Sequence, residues 1–201
     1  NVAIVRRFTG GGTVYHDLGN LNYSITYAEK KVSSPLDTAY NFLINGIIKA
    51  LEYIGLKPTV KNRTDIVVKG RKVSGTAACC KWNALILHGS LLVSSNINRL
   101  YSLLVTPKKI PEKISPVKYI VTTLSNILGS ISHSRVIESI IRAYEDLYKA
   151  EAYIDVPSSI EIKLADFLYK HKYSDEKWNR EKTLAYGYTR LYREVERLIN
   201  E

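Results

Sequence analysis

Residues 6–27, RRFTGGGTVYHDLGNLNYSITY, decide the fold that the sequence predicts. Apolar and polar side chains alternate over residues 21–27, which is typical of a strand with one buried face. Three consecutive glycines at 10–12 precede this strand, and residues 2–7 before them, VAIVRR, indicate a shorter strand. The stretch therefore predicts two strands joined by a glycine-rich turn.

A helix is predicted next, because residues 34–55 carry start and stop signals in the right order. Ser34 is suited to cap the helix, Pro35 to occupy its first position, and Gly55 to end it. The apolar residues between them recur at helical spacing and form one face: Ala39, Phe42, Leu43, Ile47, Ala50, Leu51 and Ile54.

Residues 65–75, DIVVKGRKVSG, predict a hairpin that turns at Lys69 and Gly70, where glycine can adopt a positive φ. Residues 84–94 predict a further pair of strands. A helix is expected from residue 96 to 104, ended by Pro107.

The last third of the chain is predicted to be helical. Residues 133–148 have an apolar face of Val136, Ile137, Ile140, Tyr144 and Leu147. Ser158 and Glu161 form a capping box, and residues 186–199 predict a final amphipathic helix. Strands early and helices late indicate an α+β fold, with helices packed on a mixed, largely antiparallel sheet.

The composition is that of an ordinary globular protein, with 45% apolar and 24% charged residues in a chain of 201. Its apolar stretches fall far short of the roughly 20 residues that a membrane-spanning helix needs. No change in composition marks a linker, so one domain over residues 1–201 is expected. The chain contains no Met, and we expect the coding sequence to extend beyond it.

The charge balance and the cysteines restrict the surroundings of the protein. An excess of 29 Lys and Arg over 19 Asp and Glu gives a net charge of +10, which attracts nucleic acid, anionic lipid, phosphate-bearing ligands or an acidic protein. The two cysteines, Cys79 and Cys80, are adjacent and do not form a disulfide framework, so they favour a reducing cytoplasm. We interpret them as small core residues.

Two clusters carry chemistry. The glycines at 10–12 are suited either to a plain turn or to a loop that presents backbone N–H groups to an anion, with Arg7 gripping phosphate or carboxylate. Lys72, close to Gly75, can place its ammonium over a reacting carboxylate and phosphate. An aspartate nearby, Asp65, offers the hard oxygen ligands that Mg²⁺ prefers.

A histidine inside an apolar strand, His88, is more typical of a hydrogen-bonded core residue than of a metal ligand. No second histidine or acid stands at ligand spacing from it, and no transition-metal site is predicted.

Three segments in this order, RRFTGGGTVYHDLGN (6–20), DIVVKGRKVSGTA (65–77) and LHGSLL (87–92), resemble the lipoate-protein ligase family, relatives of the biotin protein ligases. Trp178 and Asn179 resemble a tryptophan-asparagine signature near the end of its catalytic domain. The resemblance implies an α+β fold of the biotin/lipoate ligase type. It also implies a single catalytic domain over residues 1–201 that lacks its N-terminal part and a C-terminal accessory domain.

The activity implied by the resemblance is the activation of lipoate with Mg-ATP to lipoyl-AMP, followed by transfer of the lipoyl group to a lysine. The expected acceptors are acidic lipoyl domains, as in 2-oxoacid dehydrogenase E2 or the glycine cleavage H protein. ATP and Mg²⁺ are the expected cofactors and lipoate the substrate. A separate accessory subunit is expected for adenylation, and neither a membrane nor nucleic acid is an expected partner.

The resemblance assigns the catalytic role to Lys72 and a magnesium ion to Asp65. The residues that it places on ATP or lipoyl-adenylate are Arg7, Gly10, Gly11, Gly12, Thr13, Val14, Tyr15, His16, Lys72, Gly75, Thr76, Ala77, His88 and Ser90. Where the family commonly has arginine-asparagine-aspartate, this chain has Asn62-Arg63-Thr64-Asp65, which leaves the role of the asparagine open.

Other functions fit the sequence less well than that of a ligase. A lipoyl or octanoyl transferase would use a preformed acyl donor. The cysteine that some octanoyltransferases place just ahead of the lysine hairpin is absent at residues 62–65, whereas a lipoyltransferase that consumes ready-made lipoyl-adenylate stays open. Biotin ligases carry a different glycine-arginine signature. A basic nucleic-acid-binding module would use the net charge and the lysines of the loop 108–118, yet most of the 15 tyrosines stand at positions suited to core packing.

Overall fold

The hairpin predicted at Lys69 and Gly70 is confirmed in the computed structural model, which describes residues 2–28, 34–81, 84–105, 112, 114 and 116–200. Strands β3 (Asp65–Val68) and β4 (Arg71–Lys81) are joined by these two residues alone. Their φ angles are 48° and 72°, as a tight two-residue turn requires.

Three further strands complete a five-stranded sheet: β1 (Asn20–Ala28), β2 (Pro58–Lys61) and β5 (Ala84–Leu92). The strand order is β1-β5-β4-β3-β2, and every neighbouring pair is antiparallel. The alternating burial predicted for residues 21–27 is confirmed along β1. The predicted α+β fold with a largely antiparallel sheet is therefore confirmed.

Residues 84–92 form one strand, β5, so the pair of strands predicted over residues 84–94 is wrong. The strand β5 pairs with β1 along one edge and with β4 along the other. An apolar strand that lies between two neighbours can be long without turning, because its backbone groups are bonded on both sides.

The chain divides into two compact units, one of Asn1–Phe8 with Tyr153–Glu201 and the other of Thr9–Ala152. The second unit contains the sheet. The helix predicted over 34–55 is confirmed there as α1 (Pro35–Thr38), a π-helical turn (Ala39–Leu43) and α2 (Ile44–Tyr53). The other helical elements of this unit are α3 (Ile97–Leu103), a 3-10 turn (Pro116–Tyr119), α4 (Leu124–Leu128) and α5 (His133–Tyr148).

The core of the second unit lies where α2 and α5 meet and cover the sheet. The Tyr144 hydroxyl of α5 donates to the carbonyl of Leu43 at 2.6 Å, and a Cβ at Gly46 would lie 2.4 Å from the Tyr144 ring. The predicted face of α5 is confirmed at Val136, but Ile137 is 42% exposed. One residue turns a helix by about 100°, which carries Ile137 away from the buried face.

The first unit is helical, as predicted: α6 (Ser159–Leu168), a π-helical turn (Tyr169–Tyr173), α7 (Glu176–Glu181) and α8 (Tyr188–Ile199). The capping box of Ser158 and Glu161 is confirmed at the start of α6. The final amphipathic helix is confirmed as α8, which buries Leu191, Val195 and Leu198.

Residues 2–7 belong to this first unit and form no strand, so the strand predicted there is wrong. They are held by hydrogen bonds around Arg6. Its backbone N–H donates to Asn179 Oδ1 at 2.8 Å, and its guanidinium donates to the carbonyls of Trp178 at 2.9 Å and Arg180 at 3.1 Å. The indole of Trp178 donates back to the Arg6 carbonyl at 2.8 Å. The tryptophan-asparagine pair thus anchors the segment that leads into the glycine run.

Three further sequence expectations concern the cysteines, the basic loop and the membrane. Cys79 is half-buried, but Cys80 is exposed, so the prediction of a core position is wrong for Cys80, because successive residues of a strand face opposite sides. Pro107 and the lysines at 108, 109 and 113 lie outside the described residues. No helix in the described part of the chain has the length and apolarity needed to cross a bilayer.

The Arg6 contacts predict a local effect of Arg6→Lys. Lysine keeps the charge but loses the forked donors to two carbonyls, so the free energy of unfolding should fall by about 1 kcal/mol. Amide hydrogen exchange at residues 2–8 should become faster. The exposed Arg193 of α8 supplies the control Arg193→Lys, which should leave exchange there unchanged, and equal exchange in all three proteins would contradict the anchor.

Candidate active site

The predicted catalytic lysine, Lys72, lies at an irregular point of the central hairpin. The register places Ile66 opposite Ser74 and Val67 opposite Lys72, so Val73 is an extra residue in β4. Such a bulge changes the direction of neighbouring side chains and often lies beside a functional site. Here it accompanies the burial of the consecutive residues Val73 and Ser74.

The ammonium of Lys72 forms an ion pair with Asp65, with Nζ 2.6 Å from Oδ1. The Asp65 side chain is 2% exposed and the Lys72 side chain 19%. Asp65 Oδ2 accepts a hydrogen bond from the Asn62 amide at 2.8 Å. Buried charges require both an opposite charge and hydrogen bonds, and Asp65 has both.

The neighbouring Gly75 makes room for this ion pair. It lies opposite Asp65 in the register of β3 and β4, and a Cβ at position 75 would lie 2.9 Å from Lys72 Nζ and 3.1 Å from its Cε. The missing side chain therefore allows the lysine to lie along the strand and reach Asp65.

The surroundings of Asp65 do not fit a protein-held magnesium ion. One carboxylate oxygen faces an ammonium and the other an amide N–H, whereas Mg²⁺ requires oxygen ligands in near-octahedral geometry. Among the described residues, no three His, Cys, Asp or Glu side chains stand together as a metal site. Asp65 is therefore a partner of Lys72 in this structure.

A cavity of about 470 Å³ opens next to Lys72 in the second unit. Distant parts of the sequence form its wall: the segment after the glycine run, the strands β4 and β5, helix α3 and the segment that contains the 3-10 turn. The lining residues are Gly12, Thr13, Val14, Tyr15, Lys72, Ser74, Gly75, Ser90, Leu92, Leu100, Tyr101, Leu103, Leu104, Val105, Lys118, Tyr119 and Val121. Most are apolar, and the two charged ones are lysines.

A hydrogen-bonded asparagine, Asn20, positions the polar side of the cavity. Its Nδ2 donates to Ser90 Oγ at 2.8 Å and to the Tyr15 carbonyl at 3.4 Å. Its Oδ1 accepts from Ser95 Oγ at 2.7 Å and from the backbone N–H of Asp17 at 3.2 Å. Asn20 thus ties the segment after the glycine run to β5, a role that no local sequence pattern indicates.

A second connection runs through Asp17. Its carboxylate accepts the backbone N–H of Gly19 at 2.9 Å and that of Asn96, the N-cap of α3, at 2.8 Å. Burial alone would raise the pKa of Asp17, but these N–H donors lower it below the ordinary value. Burial and the neighbouring Asp17 raise the pKa of Tyr15, so the phenol stays neutral.

The structure brings half of the predicted binding residues together. Those that line the cavity are Gly12, Thr13, Val14, Tyr15, Lys72, Gly75 and Ser90. Those that do not line it are Arg7, Gly10, Gly11, His16, Thr76, Ala77 and His88.

The residues outside the cavity wall have other contacts. His88 Nε2 lies 2.7 Å from Thr9 Oγ1, in accord with the alternative of a hydrogen-bonded histidine. The Thr76 hydroxyl donates to the Thr64 carbonyl at 3.0 Å. Arg7 belongs to the first unit, where burial lowers the pKa of its guanidinium.

Ten lining residues were not among the predicted ones: Ser74, Leu92, Leu100, Tyr101, Leu103, Leu104, Val105, Lys118, Tyr119 and Val121. Helix α3 was predicted, but not its place beside the hairpin. Only the tertiary fold turns that face toward Lys72, because residues 97–105 and 118–121 lie far from the hairpin in sequence.

Comparisons with known proteins identify the family and the fold of the chain. The family model of the lipoyl protein ligase A/B catalytic domain matches residues 1–145. A lipoate-protein ligase of Bacillus subtilis is 37% identical over 131 residues, which is 63% of this chain and 38% of that protein. The chain spans about half the length of the curated relatives that it matches.

Two solved structures share the fold. One is a bi-partite lipoate protein ligase from Thermoplasma acidophilum, described together with its E2 lipoyl domain; it has a TM-score of 0.76 and 26% identity and covers 88% of this chain and 69% of that one. The other is a lipoate-protein ligase A bound with ATP, with a TM-score of 0.79 and 25% identity over 89% of this chain and 72% of that one. The predicted type of α+β fold is thereby confirmed.

The Asp17 contacts predict a pH-dependent effect of Asp17→Asn. A carboxyl whose pKa is lower in the folded state stabilises the protein above its ordinary value of 3.8, and this contribution is lost as the pH falls through the folded value. Asp17→Asn should therefore cost about 1 kcal/mol at pH 7.

Urea unfolding at pH 7 and pH 3 measures this difference. The cost of Asp17→Asn should shrink at pH 3, because this pH lies below the ordinary carboxyl value of 3.8, where the stabilisation by a lowered pKa declines. Asp166→Asn, at an exposed aspartate of α6, should show no such change. An equal cost at both values of pH would show that the Asp17 charge has no part in the contacts.

Proposed function

This chain belongs to the lipoyl protein ligase A/B catalytic domain family, and we propose that it is the catalytic part of a lipoate-protein ligase. It activates lipoate with Mg-ATP to lipoyl-AMP and transfers the lipoyl group to a lysine of a lipoyl domain. One observation carries this proposal: the Lys72 ammonium, paired with buried Asp65 at 2.6 Å, faces a largely apolar cavity that the segment after the glycine run encloses.

The reaction needs two anions to meet. A carboxylate oxygen of lipoate attacks the α-phosphorus of ATP, the bond from that phosphorus to the bridging oxygen breaks, and pyrophosphate leaves. Their repulsion must be offset by positive charge already in place, and holding both reactants in one cavity supplies much of the remaining acceleration. Lys72 is the residue that we assign to this charge.

The ion pair with Asp65 defines how Lys72 acts. Asp65 holds the ammonium along β4 and keeps it from following the substrate, so it is a positioning residue. Magnesium would enter with the nucleotide as Mg-ATP, since both Asp65 oxygens have partners within the chain. The backbone of the segment 12–15 and the hydroxyl of Ser90 supply polar contacts to the bound acyl-adenylate.

The second step is an aminolysis. The lysine amine of the acceptor attacks the acyl carbon of lipoyl-AMP, the bond to the phosphate oxygen breaks, AMP leaves and an amide forms. A free lysine with a pKa near 10.4 is almost wholly charged at neutral pH, so the amine must lose a proton before attack. The apolar wall of α3 keeps water from hydrolysing the mixed anhydride.

The remaining predicted binding residues stay part of the proposal. Arg7, Gly10, Gly11 and His16 would contact the nucleotide in the substrate complex. Thr76, Ala77 and His88 would support the acyl-adenylate tunnel from β4 and β5.

The proposed partners follow from charge and from the archaeal relative. A net charge of +10 attracts an acidic acceptor such as the lipoyl domain of a 2-oxoacid dehydrogenase E2 or the glycine cleavage H protein. The relative from Thermoplasma acidophilum is described as bi-partite and studied with its E2 lipoyl domain. We extend this to a separate accessory subunit for the present chain, whose residues 1–201 would act as one catalytic domain in the cytoplasm.

A transferase that uses a preformed acyl donor is distinguished by its first step. In a cysteine-dependent transferase a thiolate must reach the acyl carbon, but Cys79 and Cys80 do not line the cavity. Formation of lipoyl-AMP from lipoate and ATP would separate the ligase from any transferase.

The assignment predicts that Lys72→Met slows lipoyl-AMP formation by at least about 100-fold, the usual cost of removing one preorganised electrostatic contact in a transition state. Adenylate release and lipoyl-acceptor formation are measured separately, with and without a candidate accessory subunit. The neighbouring cation Arg71, which is exposed, supplies the control Arg71→Ala, which should retain the wild-type rate.

Circular dichroism and urea unfolding must show that Lys72→Met is folded. Lys72→Met leaves the buried Asp65 without its counter-ion. A second variant, Asp65→Asn with Lys72→Met, removes both charges and so tests the loss of Lys72 without an unpaired buried charge. Wild-type rates in a folded Lys72→Met protein would overturn the assignment.

A further inference from the structure

One wall of the cavity, formed by residues 118–122, is tied to the backbone of Lys72. The N–H of Lys72 donates to the carbonyl of Ile120 at 2.8 Å, and the N–H of Thr122 donates to the carbonyl of Lys72 at 2.9 Å. These bonds form a short parallel bridge between β4 and residues 118–122. The position of this wall segment, residues 118–122, is therefore coupled to that of Lys72.

The same wall segment is held from the other side by Tyr101 of α3. The Tyr101 hydroxyl donates to the carbonyl of Tyr119 at 3.1 Å and accepts from the N–H of Val121 at 3.1 Å. A single hydroxyl thus satisfies two backbone groups that no strand or helix bonds. It fixes the backbone immediately after Lys118.

The wall segment brings Lys118 to the cavity as its second charged lining residue. The charge of Lys72 is offset by Asp65 at 2.6 Å. Among the described residues, no carboxylate lies within 4.0 Å of the Lys118 ammonium. Lys118 therefore contributes the uncompensated positive charge of the described cavity wall.

We infer that Lys118 binds the β- and γ-phosphates of ATP, and that Tyr101 is the positioning residue that holds it there. The inference rests on the proposed ligase function. During adenylation, negative charge accumulates on the departing pyrophosphate, and an uncompensated cation stabilises that charge more than one already paired with a carboxylate. Lys72 and Asp65 then serve the reacting carboxylate and the α-phosphate.

The division of roles predicts different effects on the two half-reactions. Lys118→Ala should lower kcat/KM for adenylation with ATP by about 10- to 100-fold. Transfer from preformed lipoyl-AMP should change less than about 2-fold, because that compound carries no β- or γ-phosphate. Lys118→Arg should restore part of the adenylation rate. The exposed Lys57, outside the cavity, gives the control Lys57→Ala, which should leave both half-reactions unchanged.

Tyr101→Phe removes only the hydroxyl. It should raise KM for ATP while leaving transfer from lipoyl-AMP unchanged. If Tyr101 acts through Lys118, adenylation by the double variant Tyr101→Phe with Lys118→Ala should be no slower than adenylation by Lys118→Ala alone. A general loss of structure would instead make the two effects add.

The experiment uses the full chain with its accessory subunit where adenylation requires one, and it measures each half-reaction separately. Equal loss of both half-reactions in Lys118→Ala, or no loss of adenylation, would overturn the inference. If the wild-type protein forms no lipoyl-AMP from ATP, the proposed function itself fails. Calorimetric titration with inorganic pyrophosphate then still tests Lys118: weaker binding by Lys118→Ala is expected, and equal affinity would refute the inference.

Discussion

The ion pair between Lys72 and Asp65 is the constraint on which the rest of the site depends. Removing both charges from water is costly, and the pair is retained only because the Asn62 amide satisfies the second oxygen of Asp65 and Gly75 leaves room for the lysine. Loss of one partner would leave a buried charge uncompensated. One position of the Lys72 ammonium therefore depends on three features of the hairpin. These are the tight turn, the bulge in β4 and the absence of a side chain at Gly75.

The cavity is assembled around that position by hydrogen bonds between distant parts of the second unit. Asn20 and Asp17 connect the segment after the glycine run to β5 and to the start of α3. Tyr101 and the backbone of Lys72 hold the wall segment. Each connection joins residues that lie at least 18 positions apart in the sequence. A shift in any one of them would move a cavity wall relative to Lys72, which makes the site dependent on the whole second unit.

How far the sequence predicts this structure varies with the range of the interactions. The alternation in β1, the turn at Gly70 and the capping box at Ser158 depend on neighbouring residues, and all three are confirmed. The strand predicted at residues 2–7 fails, because the backbone of Arg6 finds its partners at Trp178 and Asn179 instead of in a sheet. Tyr101 and Lys118 escape prediction for the same reason: no local pattern marks a hydroxyl or an ammonium that acquires its role only through the tertiary fold.

The central claim is that the carboxylate and the nucleotide react in the cavity beside Lys72. A crystal structure of the chain with a non-hydrolysable lipoyl-adenylate analogue, in which a sulfamate replaces the acyl phosphate, tests this claim most directly. The account predicts the sulfamate at hydrogen-bond distance, about 3 Å, from Lys72 Nζ, with Asp65 still paired to the ammonium. An analogue bound with its sulfamate away from Lys72, or bound outside this cavity, would contradict it.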